Sequence, residues 1–200
     1  MNYEVFQWIN GLAGRVPALD SIMKGLAEGV VWVLLALLVL LWISGKQTNQ
    51  QLVFYSCLTA LVVIALSKYV ISPLAAHPRP FAEHAVNQLV PHEADFSFPS
   101  DHTAFAFSLA IPVWFLKRRL GTIMVVLAAL TGIARIYVGV HYPADIAGGI
   151  VLAFLVAAIV VALRRRIEPI PNGCIAVYSR LTRRVPFLPA SRQDASSRRG

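Results

Sequence analysis

An all-α, polytopic membrane helix bundle is the fold this sequence predicts, on three observations. Of its 200 residues, 57% are hydrophobic and 14% charged, and the mean hydropathy is +0.64. That is too apolar for an ordinary soluble domain and short enough for one domain. The apolar residues fall into five runs, at about 27–44, 51–73, 100–116, 120–139 and 144–163, each close to the ~20 residues a bilayer core requires. Basic residues gather at alternate ends of those runs. The chain thus divides into a membrane-embedded domain, 1–166, and a basic cytoplasmic tail, 167–200.

The elements follow in order. Val5, Phe6, Ile9, Leu12 and Ala13 recur at helical spacing beside Trp8, which predicts an amphipathic helix over 3–14 lying in the membrane interface. The five runs then give about five transmembrane helices. Lys46 follows the first, Lys117, Arg118 and Arg119 the third, and Arg164, Arg165 and Arg166 the fifth, so these three ends are predicted to be cytoplasmic. The amino terminus is then external, against the weaker opposing vote of Arg15 and Lys24. The loop 74–99 and the turn 140–143 share its face. The third run is short, so its first turn can sit at the interface.

Net charge is +8, but residues 164–200 hold nine arginines against Glu168 and Asp194. The remainder is nearly neutral, which implies a membrane surface rather than nucleic acid as the partner of the basic segment. Cys57 lies in an apolar run and Cys174 in the basic tail, an arrangement that predicts no disulfide. No basic cluster followed by an apolar run and a cleavage site opens the chain, so no signal peptide is expected.

Polar residues interrupt this apolar background in one pattern: Arg79-Pro80, then Pro99-Ser100-Asp101-His102, then Arg135, His141 and Asp145. Ionisable groups near a bilayer are costly and mark function. By the predicted topology all of them, and all five histidines, fall at one face. Pro99 to His102 open an apolar helix, whose free amides and positive dipole end suit a phosphate, with Ser100 adding a hydroxyl. Ser100 or Asp101 as a simple helix cap is the bland alternative. Arg135 lies within a span, where an unpaired guanidinium is expensive. Pro143 at a helix start places His141 just ahead of the fifth helix and Asp145 in its first turn. The carboxylate can then hold one imidazole nitrogen and leave the other free to attack phosphorus. Asp101 is expected to pair with a cation or with His102, keeping that imidazole protonated. Glu83, His84, His92, Glu93 and Asp95 are irregularly spaced in a loop and read as loop polarity rather than a metal site. No cofactor is implied.

In this order, Arg-Pro, Pro-Ser-Asp-His and Arg-x5-His-x3-Asp resemble the motifs of the type 2 phosphatidic acid phosphatase superfamily over about residues 60–160. Arg-Pro-Phe and the Asp of Pro-Ser-Asp-His are similar to bacterial undecaprenyl-pyrophosphate phosphatases of the bacitracin-resistance type. The resemblance implies that His141 is the nucleophile, Asp145 its orienter and His102 the acid for the leaving group. Arg79, Ser100 and Arg135 would hold the transferred phosphoryl, with Lys68 and Asp101 beside them. It also implies a prenyl pyrophosphate substrate, a phosphohistidine intermediate, recycling of a cell-wall carrier lipid and a multi-pass place in the bacterial inner membrane with an external site.

Two positions depart from the family pattern. Ser72 stands six residues before Arg79, where a lysine is usual. The nearest lysine is Lys68, with His77 as another candidate, and Pro73 and Pro78 are expected to keep 68 and 79 off one continuous helix. Ala134 stands where a serine often precedes the arginine. The alternatives are a phosphatidic acid or phosphatidylglycerophosphate phosphatase, and a non-catalytic lipid-binding or transport protein; only the latter has no need of an attacking histidine beside a carboxylate.

Overall fold

A computed structural model describes residues 2–182, which form helices joined by short connections and one long loop, 84–100, with no strand among the described residues. Helix α1 spans Asn2–Asn10, α2 Pro17–Ile43 and α3 Gln47–Leu66. A π-helical turn, Ser67–Ile71, carries α3 into α4, Ser72–Ala75, and α5 covers Pro80–Glu83. Then come α6 (Asp101–Leu116), α7 (Arg118–Tyr137), α8 (Pro143–Ala162), α9 (Arg164–Ile167) and α10 (Pro169–Thr182). Of the predicted tail, 183–200 lies outside the described residues.

Four stretches are long and apolar enough to cross a membrane: α2, α3 with its extension, α7 and α8. The fifth predicted span, α6, has 16 residues and occupies the centre, packed against α2, α3, α7 and α8. Its position rests on small side chains. Ala104, Ala106 and Ala110 are buried on α6, as are Ala128 on α7 and Ala153 and Ala157 on α8, so backbones approach closely as they do where no water drives association. At Gly149 a Cβ would stand 3.1 Å from both the Ala104 amide and the Ser100 carbonyl oxygen. Any larger residue would push α8 away from the start of α6.

Two helix boundaries differ from those expected. Helix α2 begins at Pro17, not near 27, because Asp20, Lys24 and Glu28 lower the local hydropathy without breaking a helix that proline starts well. Pro73 does not end the helix. A proline ring crowds the carbonyl four residues earlier, and the wider π turn just before it, with the Ser72 amide bonded to the Ser67 carbonyl, accommodates that crowding. The helix stops instead at Ala76, in the left-handed region at φ 46°. Lys68 and Arg79 are thus on separate elements, as expected.

The amino-terminal helix is not a free interfacial rod. Phe6 and Ala13 are buried while Val5, Trp8 and Leu12 stay exposed, so its apolar residues are shared between protein and surroundings. Asn10 holds it in place, donating through Nδ2 to the carbonyls of Asn87 (2.9 Å) and Tyr137 (2.8 Å) and accepting from the Asn87 amide (3.0 Å). Gly139, at φ 87°, turns the chain tightly enough for Asn87 and Asn10 to close over it. At the other end of the bundle, α10 docks on α3 through buried Pro171 and Ile175. Asn172 Oδ1 accepts from Gln47 (3.0 Å) and Gln51 (2.7 Å). Cys57 and Cys174 are both free.

Candidate active site

The polar residues scattered along the sequence meet where α6, α7 and α8 converge. The amide of Ser100 donates to the Asp145 carbonyl at 3.1 Å, and the close approach at Gly149 fixes the start of α6 against the start of α8. His141, in the connection between α7 and α8, is 1% exposed. Its Nε2 lies 3.1 Å from Arg79 Nη1. A guanidinium can only donate, so Nε2 carries the lone pair and the neutral ring has its proton on Nδ1. That nitrogen is 3.4 Å from Asp145 Oδ2 and 3.4 Å from Ser97 Oγ. Asp145 Oδ2 also accepts from the Tyr142 amide at 2.8 Å and from the Ser97 hydroxyl. The carboxylate is therefore held before it holds the histidine.

The two arginines differ in a way that matters. Arg79 is committed: Nε donates to Asp95 Oδ1 at 2.6 Å and Nη1 to the Val140 carbonyl at 3.0 Å. Burial works to raise the Asp95 carboxyl, but the hydrogen bond and charge of Arg79 outweigh it and hold the group below its usual range. Arg135 is 2% exposed, yet its Nε and Nη2 have no hydrogen-bond partner. A buried cation with open donors costs several kcal/mol, on the order of the penalty for an uncompensated buried charge. An anion binding there would relieve it.

Ser100 is fully buried at the N-cap position of α6 but makes no capping bond, contrary to the bland reading. Its Oγ accepts from Thr103 at 3.1 Å, which leaves its own proton to donate. His102, in the first turn of α6, lines a lateral groove of about 340 Å³ with Lys68, Asp101, Glu28, Trp32 and Phe105. The groove lies between α2, α3 and α6, and Trp32 in it is 72% exposed. Asp101 does not pair with His102: its Oδ1 accepts from Ser67 at 2.6 Å. The π turn carries Ser67 to within that reach, a geometry the sequence does not announce. His77 stacks edge-on to Tyr142 at 5.3 Å, and its carbonyl accepts from the Ser97 amide at 2.7 Å.

The sequence reading passed over Ser97 and took Asp95 and His92 for ordinary loop polarity, yet all three reach the site. Asp95 anchors Arg79, His92 brings its ring to 6.3 Å from that of His141, and Ser97 ties Asp145 to the histidine. The loop 84–99 thus contributes to the site, although among the described residues no group of three or more His, Cys, Asp or Glu side chains is arranged to hold a metal ion. Burial pushes His92 below its ordinary pKa, and Arg79 and Arg135 lower it further. The available signal for Ser97 was its place between Phe96 and Phe98 just before the helix start, a small polar residue between two aromatics. Ser97→Ala should lower kcat about tenfold, the scale of an outer-shell orienting contact, with KM nearly unchanged. Ser97→Thr, which keeps a hydroxyl, should restore most of it; an unaltered kcat in the alanine variant would remove Ser97 from the site.

A model of the PAP2 superfamily matches residues 50–168, a segment that contains all three motifs. The chain belongs to the PAP2 superfamily. Among PAP2 relatives, it is 33% identical to undecaprenyl-diphosphatase BcrC of Bacillus subtilis (strain 168), over 94% of this chain and 97% of that one. It is 34% identical to the putative undecaprenyl-diphosphatase YbjG of Escherichia coli (strain K12), over 78% of each chain. The crystal structure of Aquifex aeolicus LpxE superposes with a TM-score of 0.63 at 32% identity, covering 80% of this chain and 94% of that one. A transmembrane PAP2-type phosphatidylglycerolphosphate phosphatase from Bacillus subtilis gives a TM-score of 0.62 at 28% identity, with 82% and 87% covered. As a PAP2 protein with a helical bundle of membrane-spanning length, it is a membrane lipid phosphatase.

Proposed function

We propose that this enzyme hydrolyses undecaprenyl pyrophosphate to undecaprenyl phosphate through a phosphohistidine on His141, at the external face of the bacterial inner membrane, and so recycles a cell-wall carrier lipid. The observation that carries the reading is Arg135, a buried guanidinium whose Nε and Nη2 are open, beside a histidine whose Nε2 lone pair faces Arg79. The terminal phosphoryl would sit between the arginines, the Ser100 hydroxyl and the amides opening α6. His141 Nε2 attacks phosphorus in line; the P–N bond forms as the P–O bond to the lipid phosphate breaks, and His102 protonates that leaving oxygen. Water, deprotonated by His102, then attacks the phosphohistidine and releases inorganic phosphate. Arg79 and Arg135 stabilise the charge in both steps.

Substrate class is supported from two sides. Two relatives that match most of the chain are named as an undecaprenyl-diphosphatase and a putative undecaprenyl-diphosphatase. The groove holding His102 has apolar walls, Val31, Trp32, Ile64 and Phe105, and Lys68 near its polar end, which suits a lipid chain followed by a second phosphate. The test is phosphate release by purified protein from prenyl pyrophosphates, phosphatidic acid and phosphatidylglycerophosphate. The highest kcat/KM is expected for undecaprenyl pyrophosphate, with most activity surviving EDTA because the cations are side chains. A higher kcat/KM for a glycerophospholipid would reassign the substrate, and metal-reversible loss in EDTA would make the loop around Glu83 and His92 a ligand set.

Orientation follows from charge. Lys46, Lys117 to Arg119 and Arg164 to Arg166 lie at the end opposite His141, and such ends remain cytoplasmic. Gln88, exposed in the loop over the site, is the place for a reporter. Gln88→Cys should react with a membrane-impermeant thiol reagent in intact cells, and exposed Cys174 only after lysis. The reverse pattern would put the site in the cytoplasm and remove the recycling role.

A further inference from the structure

The end of the bundle away from His141 has a cavity of its own. It measures about 340 Å³ and lies where the start of α3, the end of α6 and the junction of α8 with α9 meet. Three cations line it: Lys117, Arg164 and Arg165; the carboxylate on its wall is Glu168, and Leu52 and Leu116 form an apolar part. Its walls are braced. Gln51 Nε2 bonds Glu168 Oε1 (3.4 Å) and Asn172 Oδ1 (2.7 Å), tying α3 to α10. Arg164 Nη1 donates to the Val161 carbonyl at 3.0 Å, while Lys117 and Arg165 enter no ion pair among the described residues.

Basic residues at cytoplasmic helix ends ordinarily spread into water. Here three converge on a walled cavity against one acid, so the cavity favours an anion. Next to Lys117 in the chain, Arg118 lies over the Trp114 ring at 4.0 Å, an amphipathic pair of the kind found at headgroup level. A phosphate held by Lys117 and Arg165 would have Leu52 and Leu116 beneath it, where an acyl chain begins. We propose that this cavity binds the headgroup phosphate of an anionic phospholipid from the leaflet opposite the catalytic site. Basic pockets between transmembrane helices on the cytoplasmic side are suited to such headgroups.

The test uses full-length protein purified from vesicles of phosphatidylcholine mixed with phosphatidylglycerol, with bound lipid counted by native mass spectrometry. Wild type should retain phosphatidylglycerol over phosphatidylcholine. Lys117→Ala with Arg165→Ala should reduce that retention about tenfold or more, on the scale expected for two cations near a membrane surface, with phosphatase turnover in detergent micelles unchanged. Glu168→Gln, which removes the opposing charge, should raise retention. Equal retention of the two lipids by wild type, an unchanged double variant, or lower retention in Glu168→Gln would each overturn the proposal. Release of the bound phosphatidylglycerol by millimolar inorganic phosphate would do the same for the lipid, leaving a site for the free anion.

Discussion

His141→Ala is expected to lose turnover by about a thousandfold or more, the scale seen when a nucleophile acting as part of a unit is removed, while still reaching the membrane folded. The variant leaves a cavity but no new charge. His102→Ala should be milder and partly spared by a substrate with a better leaving group, since its proposed role is proton transfer. The pH profile offers a separate check. Burial pushes the His141 imidazole down to about 3; its hydrogen bond with Asp145 pulls upward, and Arg135 and Arg79 push down again. The folded protein therefore keeps this ring neutral well below the ordinary 6.5. As pH falls, the proposed nucleophile stays available, and the acid limb of kcat/KM should lie at least about one unit below 6.5. Substantial activity in His141→Ala, or direct titration of His141 near 6.5, would end its assignment.

Arg135→Met should separate activity from stability. Removing a donor set proposed to hold the transferred phosphoryl is expected to lower kcat/KM by about 10³-fold, within the range for arginines that stabilise phosphoryl-transfer charge. The same change deletes a buried cation whose Nε and Nη2 have no partner and replaces it by an apolar side chain of similar length. Such replacements are often neutral or stabilising, by about 1–4 kcal/mol. The thermal midpoint of the ligand-free variant should therefore match or exceed that of wild type, and added vanadate, a mimic of the five-coordinate phosphoryl, should raise the midpoint of wild type alone. A strongly destabilised variant would mean that Arg135 supports the fold rather than an anion.

The helical bundle was legible because a bilayer demands runs of a set length, and five such runs stand out. What periodicity could not supply was local accommodation. The π turn that lets α3 pass Pro73 and delivers Ser67 to Asp101 has no signature in hydropathy. The motif residues Arg79, Ser100, Arg135, His141 and Asp145 were legible since each is a polar group in an apolar setting, and they do come together. The site contacts of Ser97, His92 and Asp95 were not: the serine attracts no notice in a polar loop, and the irregular spacing of the other two read as loop polarity. Only the folding of 84–99 over the site, fastened by Asn10 and Asn87, distinguishes them from their neighbours. Lys68 lines the same groove as His102, on an element separate from that of Arg79.

The groove between α2, α3 and α6 opens sideways, with Trp32 exposed at its wall. A lipid reaching His102 along it need never leave the bilayer, and its dephosphorylated form can return by the same route while inorganic phosphate departs toward water. On the proposed reading the two products would have separate exits. For such a catalyst the relevant concentration is the mole fraction of substrate in the membrane plane, so diluting the bilayer with inert lipid slows turnover even when the amount of substrate per volume is unchanged.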